Sequence, residues 1–288
     1  MRRAAVAVLT AGLVAPAGAS AQPVQPTPSR DAEARIIGGT PADRDIIGAS
    51  LQFAYKGDPN FHYCGAVPIT KKHLLGAAHC FLLPGHPKPE QIHIRAGDHD
   101  KNKGEYARVA KVWTGDFGEK PPGVNDVAVI TLDRAINVTP MWLAPTAGRI
   151  GGTLRETGWG RTDAAGVGPD AAVLQQVDMR LAEPSACAAG PIDANELCLA
   201  PPRGGQSKGN CFGDSGSPTL RRVAGRWMVA GVASRGTRPD NLRRCDGGFP
   251  NIYTDVTGKH RWSIIRAVLG LEDSAPVSAA DEARAAAG

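Results

Sequence analysis

Gly213-Asp214-Ser215-Gly216-Ser217-Pro218 is the stretch on which the fold turns. A serine among glycines sits where the backbone can bend sharply around a reacting group, although Gly-Asp-Ser-Gly on its own reads only as a tight turn. Two further strings change that. Ala77-Ala78-His79-Cys80 follows the apolar Leu74-Leu75-Gly76, and Asn125-Asp126 opens Val127-Ala128-Val129-Ile130, which has the character of a buried strand. A lone histidine is ordinarily structural, and an aspartate before an apolar run is ordinarily a turn residue. Together the strings offer a base, an acid and a hydroxyl in the order His79, Asp126, Ser215. Those are the groups that activate an alcohol, itself a weak nucleophile at neutral pH.

Around these strings the chain is built of short runs. Its 288 residues include 35 glycines and 23 prolines, enough punctuation for many short strands and few long helices. Strand-like runs occupy 50–55, 64–69, 91–96, 106–113 and 126–132. After Gly151 a second set occupies 153–158, 173–181, 196–200, 218–223, 226–234 and 251–255. Their spacing suits two antiparallel barrels better than βαβ units. Lys259 to Leu269 carries Trp262, Ile264, Ile265 and Val268 at helical spacing. Residues 271–288 are rich in alanine, serine and acid, with little to bury, and read as a flexible tail.

The beginning of the chain reads as an address. Met1-Arg2-Arg3 is a short positive region, and Ala4 to Val14 is an apolar core too short to span a bilayer. Ala19-Ser20-Ala21 fits a small-x-small cleavage site, so 1–21 reads as a signal peptide and the product as secreted and extracellular. Residues 22–35, rich in proline and charge, read as an exposed propeptide. The formal charge of +5 falls to about +3 without the four arginines and two acids of 1–35. That is too weakly basic to argue for nucleic acid, and no later stretch suggests a membrane span. Six cysteines in an exported chain imply disulfides. Six allow fifteen pairings, and no Cys-x-x-Cys pair supports metal binding. Asp98, Asp100 and Glu105 in the loop 97–105 offer oxygens to calcium, but Lys101 and Lys103 dilute their charge and no EF-hand spacing is present. The expectation is a structural loop, with no metal and no cofactor. His62, ahead of Tyr63-Cys64, reads as a hydrogen-bonded structural histidine.

The chain resembles the chymotrypsin-like (trypsin-fold) secreted serine endopeptidases from about Ile36 to Leu269. The resemblance rests on Ile36-Ile37-Gly38-Gly39, the three strings, Gly158-Trp159-Gly160, Ser234-Arg235-Gly236 and the cysteine pattern. The order His, Asp, Ser is that family's. An α/β-hydrolase runs Ser, acid, His and wants glycine where Ser217 stands. The implied fold is all-β: two antiparallel Greek-key β-barrels with the active site between them, and a C-terminal helix packed on the second barrel, within a peptidase domain at 36–270. The resemblance pairs Cys64 with Cys80, Cys187 with Cys198 and Cys211 with Cys245. It makes Ser215 the nucleophile, His79 the general base and Asp126 its buried partner, supported by Ser234. The backbone amides of Gly213 and Ser215 form the oxyanion hole. Cleavage at Arg35–Ile36 would free an ammonium that pairs with Asp214.

The pattern departs from trypsin at the specificity pocket. Gly209, followed by Asn210, stands six residues before the nucleophile, where trypsins carry an aspartate. Asn251 replaces a glycine on the far side and should narrow the pocket or place an amide in it. Arg235 replaces the tryptophan that forms an apolar shelf beside Ser234 and Gly236. The loop Thr237 to Arg244 adds Arg238, Arg243 and Arg244. These changes point to non-tryptic specificity for neutral side chains. The implied partners are protein or peptide substrates, an activating protease and protein inhibitors. The competing expectation is a catalytically inactive homologue that serves as a secreted binding protein.

Overall fold

Turn-punctuated apolar runs become strands because alternate side chains can enter a core while the backbone pairs with a neighbour. The computed structural model describes residue 1, 36–118, 123–163, 165–203, 208–237, 245 and 248–270, the Trp262 side chain excepted. The proposed signal peptide, the propeptide, the tail and the arginines at 238, 243 and 244 lie outside these residues. Contacts group the chain from Ala34 onward into one unit, to which every element below belongs.

After the two-residue β1 (Thr40–Pro41), the first barrel is built from β2 (Ala49–Tyr55), β3 (Asp58–Pro68), β4 (His73–Gly76), β5 (His93–Ala96), β6 (Glu105–Trp113) and β7 (Ala128–Leu132). It closes in the order β2-β3-β4-β7-β6-β5. The second barrel is built from β8 (Thr153–Gly158), β9 (Gln175–Ala182), β10 (Glu196–Ala200), β11 (Pro218–Val223), β12 (Arg226–Gly236) and β13 (Asn251–Asp255). Its order β9-β10-β13-β12-β11-β8 closes through a β8–β9 pairing, and β1 adds to the outer side of β9. All these pairings are antiparallel. The barrels therefore stand as expected. β4 was not read as a strand because Leu74-Leu75-Gly76 is too short to show a period.

Leu51, Leu74, Leu75, Ile94, Ile130 and Leu132 are fully buried in the first barrel. Leu154, Met179, Leu199, Ala230 and Tyr253 fill the second. Each fully buried large aliphatic is worth about 1.5–3 kcal/mol. Three disulfides add staples: Cys64–Cys80, Cys187–Cys198 and Cys211–Cys245, the pairs the resemblance implies. Bridges closing loops of 11 to 34 residues stabilise a chain mainly by restricting its unfolded state, by about 3 kcal/mol for a 15-residue loop.

One short helix, α1 (His79–Leu82), follows β4, and a longer one, α2 (Lys259–Leu269), follows β13. α2 ends at Gly270, whose φ of 66° supplies the left-handed stop. Its expected packing is corrected in one respect: α2 lies principally against β7 of the first barrel. Ile264 and Ala267 join the core cluster that contains Val127 and Val129. The chain leaves the second barrel at Asp255 and crosses back, since the apolar face of α2 finds its uncovered surface there.

Candidate active site

The seam between the barrels is stitched by bonds that cross it. The Gly65 amide on β3 donates to the Ser215 carbonyl at 2.7 Å. Thr254 Oγ1 on β13 donates to the Asp126 carbonyl at 2.9 Å. A Cβ on Gly65 would run into Ser217 Oγ, so the serine loop approaches β3 as closely as it does only because residue 65 is glycine.

His79 opens α1 directly behind β4, and Asp126 lies two residues before β7, the strand paired with β4. This pairing brings the two side chains together across 47 residues of chain. Asp126 Oδ1 accepts the His79 backbone N–H at 2.9 Å, and Oδ2 accepts His79 Nδ1–H at 2.7 Å. Oδ2 also accepts the Ser234 hydroxyl at 2.7 Å. Burial pushes the Asp126 carboxyl upward, but the His79 charge, the hydrogen bonds from His79 and the Ser234 hydroxyl outweigh it. The net pKa lies below the usual carboxylate range. Asp126 is therefore a charged partner that orients the His79 ring through Nδ1.

Ser215 stands in the neighbouring loop, its carbonyl 4.0 Å from the sulfur of Cys80, the residue after His79. No hydrogen bond closes between Ser215 Oγ and His79 Nε2 in this structure; Nε2 has a contact with Cys80 Sγ at 3.9 Å. Such links are commonly long before substrate arrives. The amides of Asp214, Gly216 and Ser217 are spent on the carbonyls of Cys211, Ala233 and Asp214. Among the described residues, those of Gly213 and Ser215 donate to none. Gly213 has φ 97°, and a Cβ there would meet the Gly160 Cα at 3.1 Å. His62 fixes this turn: Nε2–H donates to the Gly213 carbonyl at 3.0 Å, and Nδ1 accepts the Ser50 hydroxyl at 2.8 Å. Burial, with Lys101 nearby, depresses its pKa to about 3, so it is a neutral strut. The only tight cluster of metal-type side chains among the described residues is Cys64, His79 and Cys80, whose cysteines are spent in a disulfide.

The family model for trypsin matches residues 36–263. The chain belongs to the trypsin family. Trypsin-1 of Astacus astacus is 30% identical over 253 residues, covering 81% of this chain and all of that protein. A trypsin-like protease of Streptomyces glaucescens is 32% identical over 256 residues, covering 86% of this chain and 87% of its own length. Some relatives carry additional parts: transmembrane protease serine 9 of Rattus norvegicus is 30% identical over 213 residues, which are 19% of its length.

In this trypsin-family chain Gly209, Gly236 and Asn251, three of the residues expected at the specificity pocket, lie beside one another, whereas the Arg235 side chain turns to Glu196. Gly209 bridges Ile37, its amide donating to the Ile37 carbonyl at 3.2 Å. A Cβ on Gly209 would lie 2.7 Å from Asn251 Nδ2, so the Asn251 amide occupies the space beside it. Gly236 pairs with Asn251 across β12 and β13, and Asn210 Nδ2 donates to Tyr253 Oη at 3.4 Å. Ile36 is fully buried, and Asp214 is buried with Oδ1 on the Gly160 amide and Oδ2 on the Cys211 amide, each at 2.8 Å. Burial raises its pKa to about 7 against those two bonds.

Sequence reasoning missed Glu156. It lies on β8 with the same parity as Leu154, so alternation alone could have placed it inside. It is fully buried. The side chains of Asn251 and Tyr253 and the Asn210 amide face its carboxyl, yet neither oxygen has a well-formed hydrogen bond. Burial, then repulsion from Asp214, raises its pKa to about 8. The folded chain thus holds a proton that the unfolded chain releases near pH 4.5. Stability from this group is complete below that pH and is lost as pH rises toward 8. Asp214 acts with the same sign up to about 7. We expect Glu156 alone to lower the unfolding free energy by on the order of 3 kcal/mol between pH 5 and pH 8, with Asp214 adding to the fall. Urea titrations of the wild type and of Glu156→Gln check this, with a shallower slope in the variant, where only the Asp214 part remains.

Proposed function

We propose that this chain is an exported serine endopeptidase, made as a zymogen with a propeptide at 22–35 ahead of the peptidase domain at 36–270 after loss of a signal peptide, and activated by cleavage at Arg35–Ile36. The observation that carries the reading is the hydrogen-bonded array from Ser234 through Asp126 to His79, set beside a Ser215 loop with two uncommitted amides. Ser215 Oγ attacks a peptide carbonyl while His79 takes its proton, then hands it to the departing amine. Asp126 stabilises the imidazolium. The Gly213 and Ser215 amides receive the oxyanion, each worth about 3 kcal/mol by comparison with similar donors. Water then releases the acyl group by the same route in reverse.

The substrates are proteins or peptides, since the family's chemistry is peptide hydrolysis. The pocket around Gly209 and Asn251 carries no aspartate at 209 to receive a basic side chain and favours neutral ones. An enzyme of that preference cuts its own Arg35–Ile36 bond poorly, so a second protease performs activation. The test is a fluorophosphonate probe applied before and after cleavage ahead of Ile36. Labelling at Ser215 that rises on cleavage supports the reading. Cleaved, folded protein that resists the probe would instead be the inactive binding homologue.

A further inference from the structure

Arg235 stands where the family's shelf tryptophan would be, and its guanidinium turns inward. Nη1 donates to Glu196 Oε1 at 2.6 Å and Nη2 to Oε2 at 2.8 Å, a two-pronged pair. The Glu196 side chain is completely buried and that of Arg235 is 19% exposed. Nη1 also donates to the Gly123 carbonyl at 2.9 Å, and Nη2 to the Pro191 carbonyl at 2.6 Å. A third contact of Nη1 reaches Ser234 Oγ at 3.2 Å. Ser234 is the residue whose hydroxyl donates to Asp126 Oδ2. One line of side chains therefore runs Glu196–Arg235–Ser234–Asp126–His79. Nη1 has two hydrogens for three acceptors, so the Ser234 contact is the long, shared one and the coupling is chiefly through the field.

We propose that the buried Arg235–Glu196 pair is a positioning and charge-tuning element of the triad, its cationic end placed behind Asp126 to set how readily His79 takes a proton. The proposal rests on the peptidase reading for its catalytic consequence and on geometry alone for its effect on the imidazole. The guanidinium is the nearer pole and its cation opposes protonation of His79; Glu196, one step farther away, partly cancels it. Asp126 faces the imidazole from the loop before β7. His86, with ring centroids 6.5 Å apart, faces it from the segment after α1. Neither is altered in the variants below.

The experiment measures the acid limb of kcat/KM for cleaved enzyme on an uncharged peptide ester, alongside NMR titration of the His79 imidazole in a Ser215→Ala background. Glu196→Gln leaves the guanidinium unbalanced and is expected to move both readings to lower pH by about half a unit or more. Arg235→Gln leaves the carboxylate instead and is expected to move both upward by about as much. The double variant Glu196→Gln/Arg235→Gln has no unpaired buried charge. It is expected to move upward by less than Arg235→Gln, because the nearer pole is gone. Opposed shifts support the proposal. Unchanged or same-direction shifts in the single variants overturn it, as does a wild-type value in the double variant should the singles fail to fold. If the wild type does not turn over, the peptidase reading fails, while the NMR titration still decides the coupling.

Discussion

Ser215→Ala is expected to lower kcat by about a millionfold, toward what binding and the oxyanion amides alone sustain. The fold should be indifferent. The loop is held by main-chain bonds, from Gly65 N to Ser215 O and from Asp214 N to Cys211 O, which the change leaves intact. His79→Ala should cost nearly as much, and the combined variant little more, since the two act as a unit. Asp126→Asn should cost about 10⁴-fold, because an amide at that place favours the wrong tautomer of His79. Peptide hydrolysis at saturating substrate, with circular dichroism as the control for folding, reads all four. Undiminished hydrolysis in Ser215→Ala would place the chemistry elsewhere.

The second large effect is expected from chain cleavage. In the structure Asp214 is buried on two backbone amides, and among the described residues no cation pairs with it. An ammonium delivered to that carboxylate completes a buried pair, and leaving one member of such a pair alone costs about 3–5 kcal/mol. That difference corresponds to a shift of roughly 10²- to 5 × 10³-fold in the population of the working oxyanion loop. Arg35→Gln, which denies the activating protease its site, should therefore hold hydrolysis at least about 100-fold below that of cleaved wild type. Asp214→Asn should stay low even after cleavage. Full activity in a chain shown by mass spectrometry to be uncut would remove the activation step from the account.

Much of this was legible before any fold was known, and for identifiable reasons. His79, Asp126 and Ser215 carry their context beside them in sequence: an apolar strand before one, an apolar strand after another, glycines around the third. α2 announced itself through Ile264, Ile265 and Val268, although not the surface that receives it, because a helix's sequence shows its apolar face and not its neighbour. Glu196 and Arg235 were opaque as a pair, since they meet only when β10 and β12 are brought to either side of β13. Glu156 hid for a different reason: a carboxylate in a strand is normally assigned to the solvent face, and here burial overrides that rule at the cost of a raised pKa. The Gly65 approach to Ser217 is likewise a property of two barrels meeting.

Active-site titration tests the central claim most directly. Protein cleaved ahead of Ile36 is mixed with excess chromogenic ester, and the initial burst is compared with the protein concentration. An activated Ser215 predicts a burst of about one equivalent, absent from Ser215→Ala, with the acyl group recovered on the peptide containing residue 215. No burst from folded, cleaved protein, or an equal burst from Ser215→Ala, would contradict it.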